Sequence, residues 1–354
     1  MKRSVIAAIV CFFSVGSAVA GQYIPPRQIE STSLPHTQFT PYPQAKIIPG
    51  TNLIFCVTFQ LAWNELMDSL IKEPVLLQGD PASARILNRQ LTGKDLISNN
   101  CFISAAGFKK DGIEEKINTL LSKRFRIEPG IDIALVNPED ILVSAFLLKE
   151  LSFPIPFENI NEPVRFNGSF PVQAFGINQF TFDQPHRDLS SQVRILHYVD
   201  DDNFILELVS DSVEDELILA KVPPREELFD TIESVLNAIE PYPGELFEGE
   251  TLQIPKFDFN ILHNFSDLTG RRFLNKDFND YSITKAVQSV RFKLNEKGVL
   301  LRSESAVEMT LGIKNEKRPR KFIFDKPFLV CLKEKNKKFP YLVFWIGNEE
   351  LLLK

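Results

Sequence analysis

The stretch Phe322-Ile323-Phe324-Asp325-Lys326-Pro327-Phe328-Leu329-Val330-Cys331-Leu332 sets two apolar runs on either side of an acid, a base and a proline. Each run has the length and side-chain type of a buried strand, and the polar interruption is turn-forming. The strands read here are Phe322–Phe324 and Phe328–Leu332, with a last one at Tyr341–Ile346. Between the last two lies Lys333-Glu334-Lys335-Asn336-Lys337-Lys338, which reads as a solvated turn.

Moving toward the N-terminus, strands are predicted at Val164–Phe166, Val172–Phe182, Gln192–Tyr198, Phe204–Val209, Glu216–Val222, Leu252–Phe259 and Ala286–Leu294, with one helix at Glu226–Ile239. The first third reads differently. Phe55, Phe59, Ala62, Leu66 and Leu70 recur at three- and four-residue spacing, predicting a helix over Asn52–Ile71 that Pro74 stops. Pro81–Leu91 is a second short helix with Asp80 as its cap, and Ile113–Phe125 is an amphipathic one. Asn99–Phe108 alternates weakly, as a strand does. Ile141–Leu151 is almost continuously apolar, as in a strand covered on both faces or a short buried helix. Helices early and strands later, without βαβ alternation, indicate an α+β fold with large antiparallel sheets.

Composition limits the function. The 354 residues are 44% hydrophobic and 24% charged, ordinary for a folded domain, with 30 Phe but only 16 Gly. A chain this poor in glycine has few places where backbone can approach a phosphate. The net charge of −6 argues against nucleic acid as a partner. The histidines are His36, His186, His197 and His263; none lies in HExxH, and neither GxSxG, a P-loop nor GxGxxG occurs. The triplet Asp200-Asp201-Asp202 lacks the glycine and later glutamate of a calcium loop and reads as a hairpin turn. No catalytic residue, metal site or cofactor is expected.

Residues 1–20 have the layout of a cleavable secretory signal: Lys2 and Arg3, the apolar run Val5–Phe13, and Ala18-Val19-Ala20 at the cleavage point. The run is too short to span a bilayer comfortably. The mature chain is expected to be secreted, extracellular or periplasmic, without a membrane span. Cys11 leaves with the signal. Cys56 and Cys331, in apolar surroundings, read as buried thiols, and Cys101 completes the set. Residues 21–50, rich in Pro, Thr, Gln and Ser, read as an extended arm before a single domain over 51–354.

The opening stretch resembles the C-terminal signature of the serpins: apolar residues, an acidic or amide residue, a base, Pro-Phe, and another apolar strand. Leu342-Val343-Phe344-Trp345-Ile346-Gly347 is similar to the family's last strand, although Asn348 and Glu349 stand where Arg and then Pro are usual. Ser144-Ala145-Phe146-Leu147-Leu148-Lys149-Glu150 looks like the central strand, with Phe153 and Phe157 near the expected Trp and Phe. Ile113–Phe125 and Asn52–Leu66 are similar to two of the helices, Cys56-Val57 replacing the usual Ser-Pro in the second.

The resemblance implies N-terminal helices packed on large, mostly antiparallel sheets with an exposed reactive-centre loop at about 296–321. It implies a monomeric inhibitor of a serine or cysteine protease. In such proteins the protease cleaves the loop, and the loop enters the central sheet as a new strand. The hinge residues would be Glu296, Lys297, Gly298, Val299, Leu301, Ser303 and Ser305. Counting from Gly298 places the scissile bond at Gly312-Ile313, with Lys314 as the alternative. The cations Lys317, Arg318, Arg320 and Lys321 are open to two readings: bait for a trypsin-like target or an anionic surface, or a solvated loop. The family favours small residues after the glycine, whereas Val299-Leu300-Leu301 stands here. A non-inhibitory binding protein of the same fold is the alternative.

Overall fold

The structure is a computed structural model that describes residues 27–89, 96–97, 102–125, 135–297 and 318–354. Three sheets organise it. The five-stranded sheet runs β1 (Ile29–Glu30), β12 (Phe257–Asn264), β13 (Ile283–Leu294), β5 (Ile141–Glu150) and β4 (Phe102–Phe108). The seven-stranded sheet runs β2 (Thr37–Thr40), β3 (Asn52–Cys56), β16 (Leu342–Ile346), β15 (Phe328–Glu334), β10 (Asp215–Lys221), β9 (Asn203–Leu208) and β8 (Val193–Asp200). The four-stranded sheet runs β14 (Lys321–Ile323), β11 (Thr251–Pro255), β7 (Phe170–Ile177) and β6 (Glu158–Phe166).

The five- and seven-stranded sheets share the main core. Phe292 of β13 meets Phe344 of β16 at 4.8 Å between ring centres, and Phe259 of β12 meets the same ring at 5.5 Å. Such tilted aromatic contacts each add to the area that they bury. Beneath β4 and β5 lies α1 (Thr58–Glu65), buried along nearly its whole surface and continued by a π-helical turn over Leu66–Ile71. Its buried polar side chains are satisfied there, Gln60 donating to Asn64 and to the Leu87 carbonyl. On the opposite face, α3 (Ile113–Phe125) inserts Ile113, Ile117 and Leu121 against Ile103, Leu142 and Phe146. The remaining helices, α2 (Ala82–Leu87), α4 (Gln184–Ser190) and α5 (Leu228–Asn237), are peripheral.

Several expectations are corrected. Asn52–Cys56 is a strand, not the first turn of a helix; all five residues are buried between β2 and β16, and such a fully buried run carries no helical stripe of its own. Leu252–Phe259 breaks at Lys256 into β11 and β12, which belong to different sheets. Pro81, not Asp80, caps α2; Asp80 has φ of 44° and its carboxylate pairs with Arg85. Lys333 and Glu334 are buried within β15 rather than in a turn, and Lys333 pairs with Glu216. Asp201 and Asp202 do turn the β8–β9 hairpin, but they are engaged: Asp202 meets Lys221 at 2.8 Å and Lys326 at 2.6 Å, and Asp201 accepts from the Tyr198 hydroxyl at 2.8 Å. Cys56 and Cys331 are buried, and burial drives the Cys331 thiol upward; Cys101 lies outside the described residues.

Residues 27–50 run mostly extended and join both large sheets. β1 pairs in parallel with β12 and β2 with β3. The Asn52 side chain holds the junction: Oδ1 accepts from the backbone N–H groups of Gly347 and Asn348, and Nδ2 donates to Thr37 and to the Asn348 side chain. Asn348 Nδ2 in turn donates to the carbonyls of His36 and Gly50. Gly347 is required by this closeness, because a Cβ there would stand 2.5 Å from the Thr51 carbonyl oxygen.

The arm also covers His263 of β12. Ser31 Oγ lies 2.8 Å from His263 Nδ1, Phe39 stacks on the ring at 4.7 Å, and Phe265 meets it edge-on. Burial depresses the imidazole to about 4. The folded chain therefore binds fewer protons here than the unfolded one, and stability is lost as pH falls from about 6.5 toward 4. Urea unfolding across that range should show a steeper fall for the wild type than for His263→Phe, the difference not exceeding about 1.4 kcal/mol per pH unit.

Candidate functional site

β5 and β13 lie side by side in parallel register, from Ile141 opposite Ile283 to Glu150 opposite Lys293, with no strand between them. Their chain connections run in the opposite sense on either side, through β4 and β12. The seam is thus the one parallel contact between long strands in the five-stranded sheet. Parallel pairing is slightly weaker per residue than antiparallel pairing.

At the end of the seam the chain leaves β13 after Leu294 and reaches Lys297, the last described residue before 318. Three backbone bonds close it: Leu151 N–H donates to the Lys293 carbonyl at 3.3 Å, Phe153 to Lys297 at 3.2 Å, and Phe157 to Glu296 at 2.9 Å. The rings beneath are fully apolar. Phe153 and Phe157 meet edge-to-face at 4.8 Å, and both pack on Phe175 of β7. Their positions in the core follow from the chain itself, since Phe153 is 0% and Phe157 4% exposed.

Two buried cations flank the closure. Lys256, at the break between β11 and β12, is buried; its ammonium meets Glu296 at 2.5 Å and donates to Asn159 at 2.7 Å. Burial pushes the Glu296 carboxyl up, but the hydrogen bond and charge of Lys256 outweigh this and hold it below its ordinary value. Arg291, on β13 and 2% exposed, donates to the carbonyls of Phe259 and Phe292 and meets Asp258 at 2.7 Å and Glu150 at 3.5 Å. Burial lowers the Arg291 guanidinium to about 10 and raises Asp258. The Arg291–Glu150 contact crosses the seam, so any strand placed there would break it, adjacent strands being about 4.8 Å apart.

The chain that resumes at residue 318 is anchored differently. Arg320 makes two bonds to the buried Glu250 carboxylate, at 2.5 and 2.9 Å, and a third to the Glu245 carbonyl. Its guanidinium also lies over the rings of Tyr198, Phe247 and Phe322 at 5.1–5.3 Å. Arg320 is therefore engaged rather than part of a free cationic face, whereas Arg318 and Lys321 are exposed.

Of the hinge residues expected from the sequence, Glu296 and Lys297 are placed, both in the closure. Gly298, Val299, Leu301, Ser303 and Ser305 lie outside the described residues, as do the bond candidates Gly312, Ile313 and Lys314. Sequence reasoning missed Lys256, Asn159 and Arg291. The signal for the first was a lysine that follows Pro255 between the apolar Ile254 and Phe257. Among the described residues no group of three His, Cys, Asp or Glu side chains could hold a metal, and no helix is long and apolar enough to cross a membrane.

No protein-family model matches the chain, and no curated protein matches it in sequence. Solved structures do. The chain is similar to a tumour-suppressing serpin, 13% identical, over 84% of this chain and 92% of that one, with a TM-score of 0.52. It is similar to the mouse protein Z-dependent protease inhibitor, 11% identical, over 84% of this chain and 91% of that one, with a TM-score of 0.50. The chain has the serpin fold.

Glu296→Gln leaves Lys256 buried without its counter-charge, which should cost about 1–3 kcal/mol in urea unfolding at neutral pH. Because Glu296 titrates below its ordinary value, that difference is present above the carboxylate range and should vanish once acid protonates the wild-type side chain.

Proposed function

We propose that this chain is an exported inhibitor of serine or cysteine endopeptidases that acts by loop cleavage and insertion. The observation that carries the proposal is the uninterrupted β5–β13 seam, closed at its end by Glu296 and Lys297, the last described residues before 318. In the proposed reaction the protease nucleophile attacks the carbonyl of the scissile bond, at Gly312-Ile313 or at Lys314. An acyl-enzyme forms, and the segment beyond the cut leaves with a new amino terminus. The freed segment after Lys297 then turns back along the sheet.

β13 and β5 run the same way, so a strand that reverses after β13 is antiparallel to both. One parallel ladder is exchanged for two antiparallel ones, a net gain in hydrogen bonds and in pairing strength. β5 has 10 residues, and the segment 298–317 is long enough to lie along all of it. The root at Arg320 stays with Glu250 while the hinge side moves.

The sequence Val299-Leu300-Leu301 favours the second reading, a serpin-fold binding protein that is cut without trapping. An inserted Leu301 is bulky, and overpacking costs about 1–3 kcal/mol. Slower insertion gives deacylation time to release intact protease.

The mature protein is incubated with trypsin-, elastase- and papain-like proteases and run on denaturing gels. A stable band near the summed mass is expected, with a raised thermal midpoint for cleaved chains. Clean cleavage with neither result overturns the inhibitor. Leu301→Ala should raise the ratio of trapped to cleaved product if hinge bulk limits the reaction; an unchanged ratio removes bulk as the cause.

A further inference from the structure

Away from the seam, a cavity of about 650 Å³ opens between α4, the start of β8 and the segment around Pro243–Leu246. That size is within the range of small-molecule sites. Its character is amphipathic. Phe180, Phe182, Val193 and Leu246 supply apolar wall, and Arg187 and Arg194 supply cationic groups. Phe182 is 45% exposed and meets Phe180 edge-to-face at 5.5 Å, which leaves aromatic surface open to the cavity.

The two arginines are not equivalent. Arg194 is paired with Glu207 at 3.1 Å. Arg187, half-buried on α4, has no carboxylate partner among the described residues. The acids near it in sequence are bonded elsewhere: Asp183 accepts from Thr181 and from the His186 backbone, and Asp188 accepts from Gln184 at 2.6 Å. The one acid in the lining is Glu245.

The walls are held in place. Asp183 caps α4, with Pro185 in its first turn. Ile195 and Gly244 exchange two backbone bonds of 2.9 and 2.8 Å, which fasten the segment around Pro243–Leu246 to β8. The segment after Gly244 is tied down by Glu250, which accepts from Phe247 N–H and from Arg320. A preformed cavity loses little entropy on binding.

We infer that this cavity binds a small amphipathic anion, an aromatic carboxylate or sulfonate, with the Arg187 guanidinium taking the anionic group and Phe180 and Phe182 the ring. A guanidinium presents a planar pair of donors that matches such an oxyanion, and the phenyl rings offer faces and edges for stacking. The inference is independent of protease inhibition, since no residue of the seam or loop takes part.

The probe is 8-anilinonaphthalene-1-sulfonate, titrated by fluorescence into the mature chain. One saturable site is expected. Arg187→Gln should weaken it at least tenfold, Arg187→Lys less, and the exposed Arg165→Gln not at all. The uncharged N-phenyl-1-naphthylamine should bind at least tenfold more weakly than the sulfonate. Thermal melts of each variant confirm that it folds. Absence of a saturable site, equal affinity for the uncharged probe, or affinity unchanged in a folded Arg187→Gln would each overturn the inference.

Discussion

The parallel ladder between β5 and β13 is the constraint on which the rest of the molecule depends. All three hydrophobic clusters meet along it. Toward α1, Val143 and Ala145 join Ile283 and Ala286. Toward the seven-stranded sheet, Leu147 joins Val290 and Phe292. On the outer face, Leu142, Phe146 and Val287 lie under α3. A seam that carries three packed surfaces opens only if all of them slide together. The native closure over Glu296 and Lys297 is therefore a cooperative boundary rather than a local loop contact.

The described residues on either side of 298–317 are held by unlike chemistry. On the hinge side, three main-chain bonds and the Lys256–Glu296 pair fasten residues 293–297 to the segment 151–157 and to the start of β12. These can be remade after a displacement, because main-chain groups find equivalent partners in any ladder. On the far side, Arg320 is set among three rings and a buried carboxylate, a geometry specific to its own side chain.

Much of this was legible in the sequence where one element equals one run of residues. Ile113–Phe125 reads as a helix because its apolar residues repeat at helical spacing, and the structure has those bounds. Phe322–Leu332 reads as two strands because Asp325-Lys326-Pro327 cannot continue a ladder. Periodicity failed where burial was complete. Asn52–Cys56 and residues 58–64 of the helix after it are all buried, so no exposed face marks the turn at Val57. The site was less visible because its parts are remote: Lys256 and Glu296, or Arg291 and Glu150, meet only through sheet order. The same is true of Asn348. In the sequence it looked like drift from a family ending; in the fold its amide clamps Asn52, His36 and Gly50.

The placement of the arm has a consequence for association between molecules. β1 and β2 are the outermost strands of the five- and seven-stranded sheets on that side of the molecule. An uncovered strand edge offers unpaired N–H and carbonyl groups to any extended chain that diffuses by, including the sheet of a second copy. Here the protein's own leading segment occupies β12 and β3 first, and its attachment rests on Asn52, Asn348 and the ring of His263 rather than on length. Losing those few side-chain contacts would expose two templates at once, so the covering of these edges by a stretch that reads from sequence as an extended arm depends on residues of the domain that follows it.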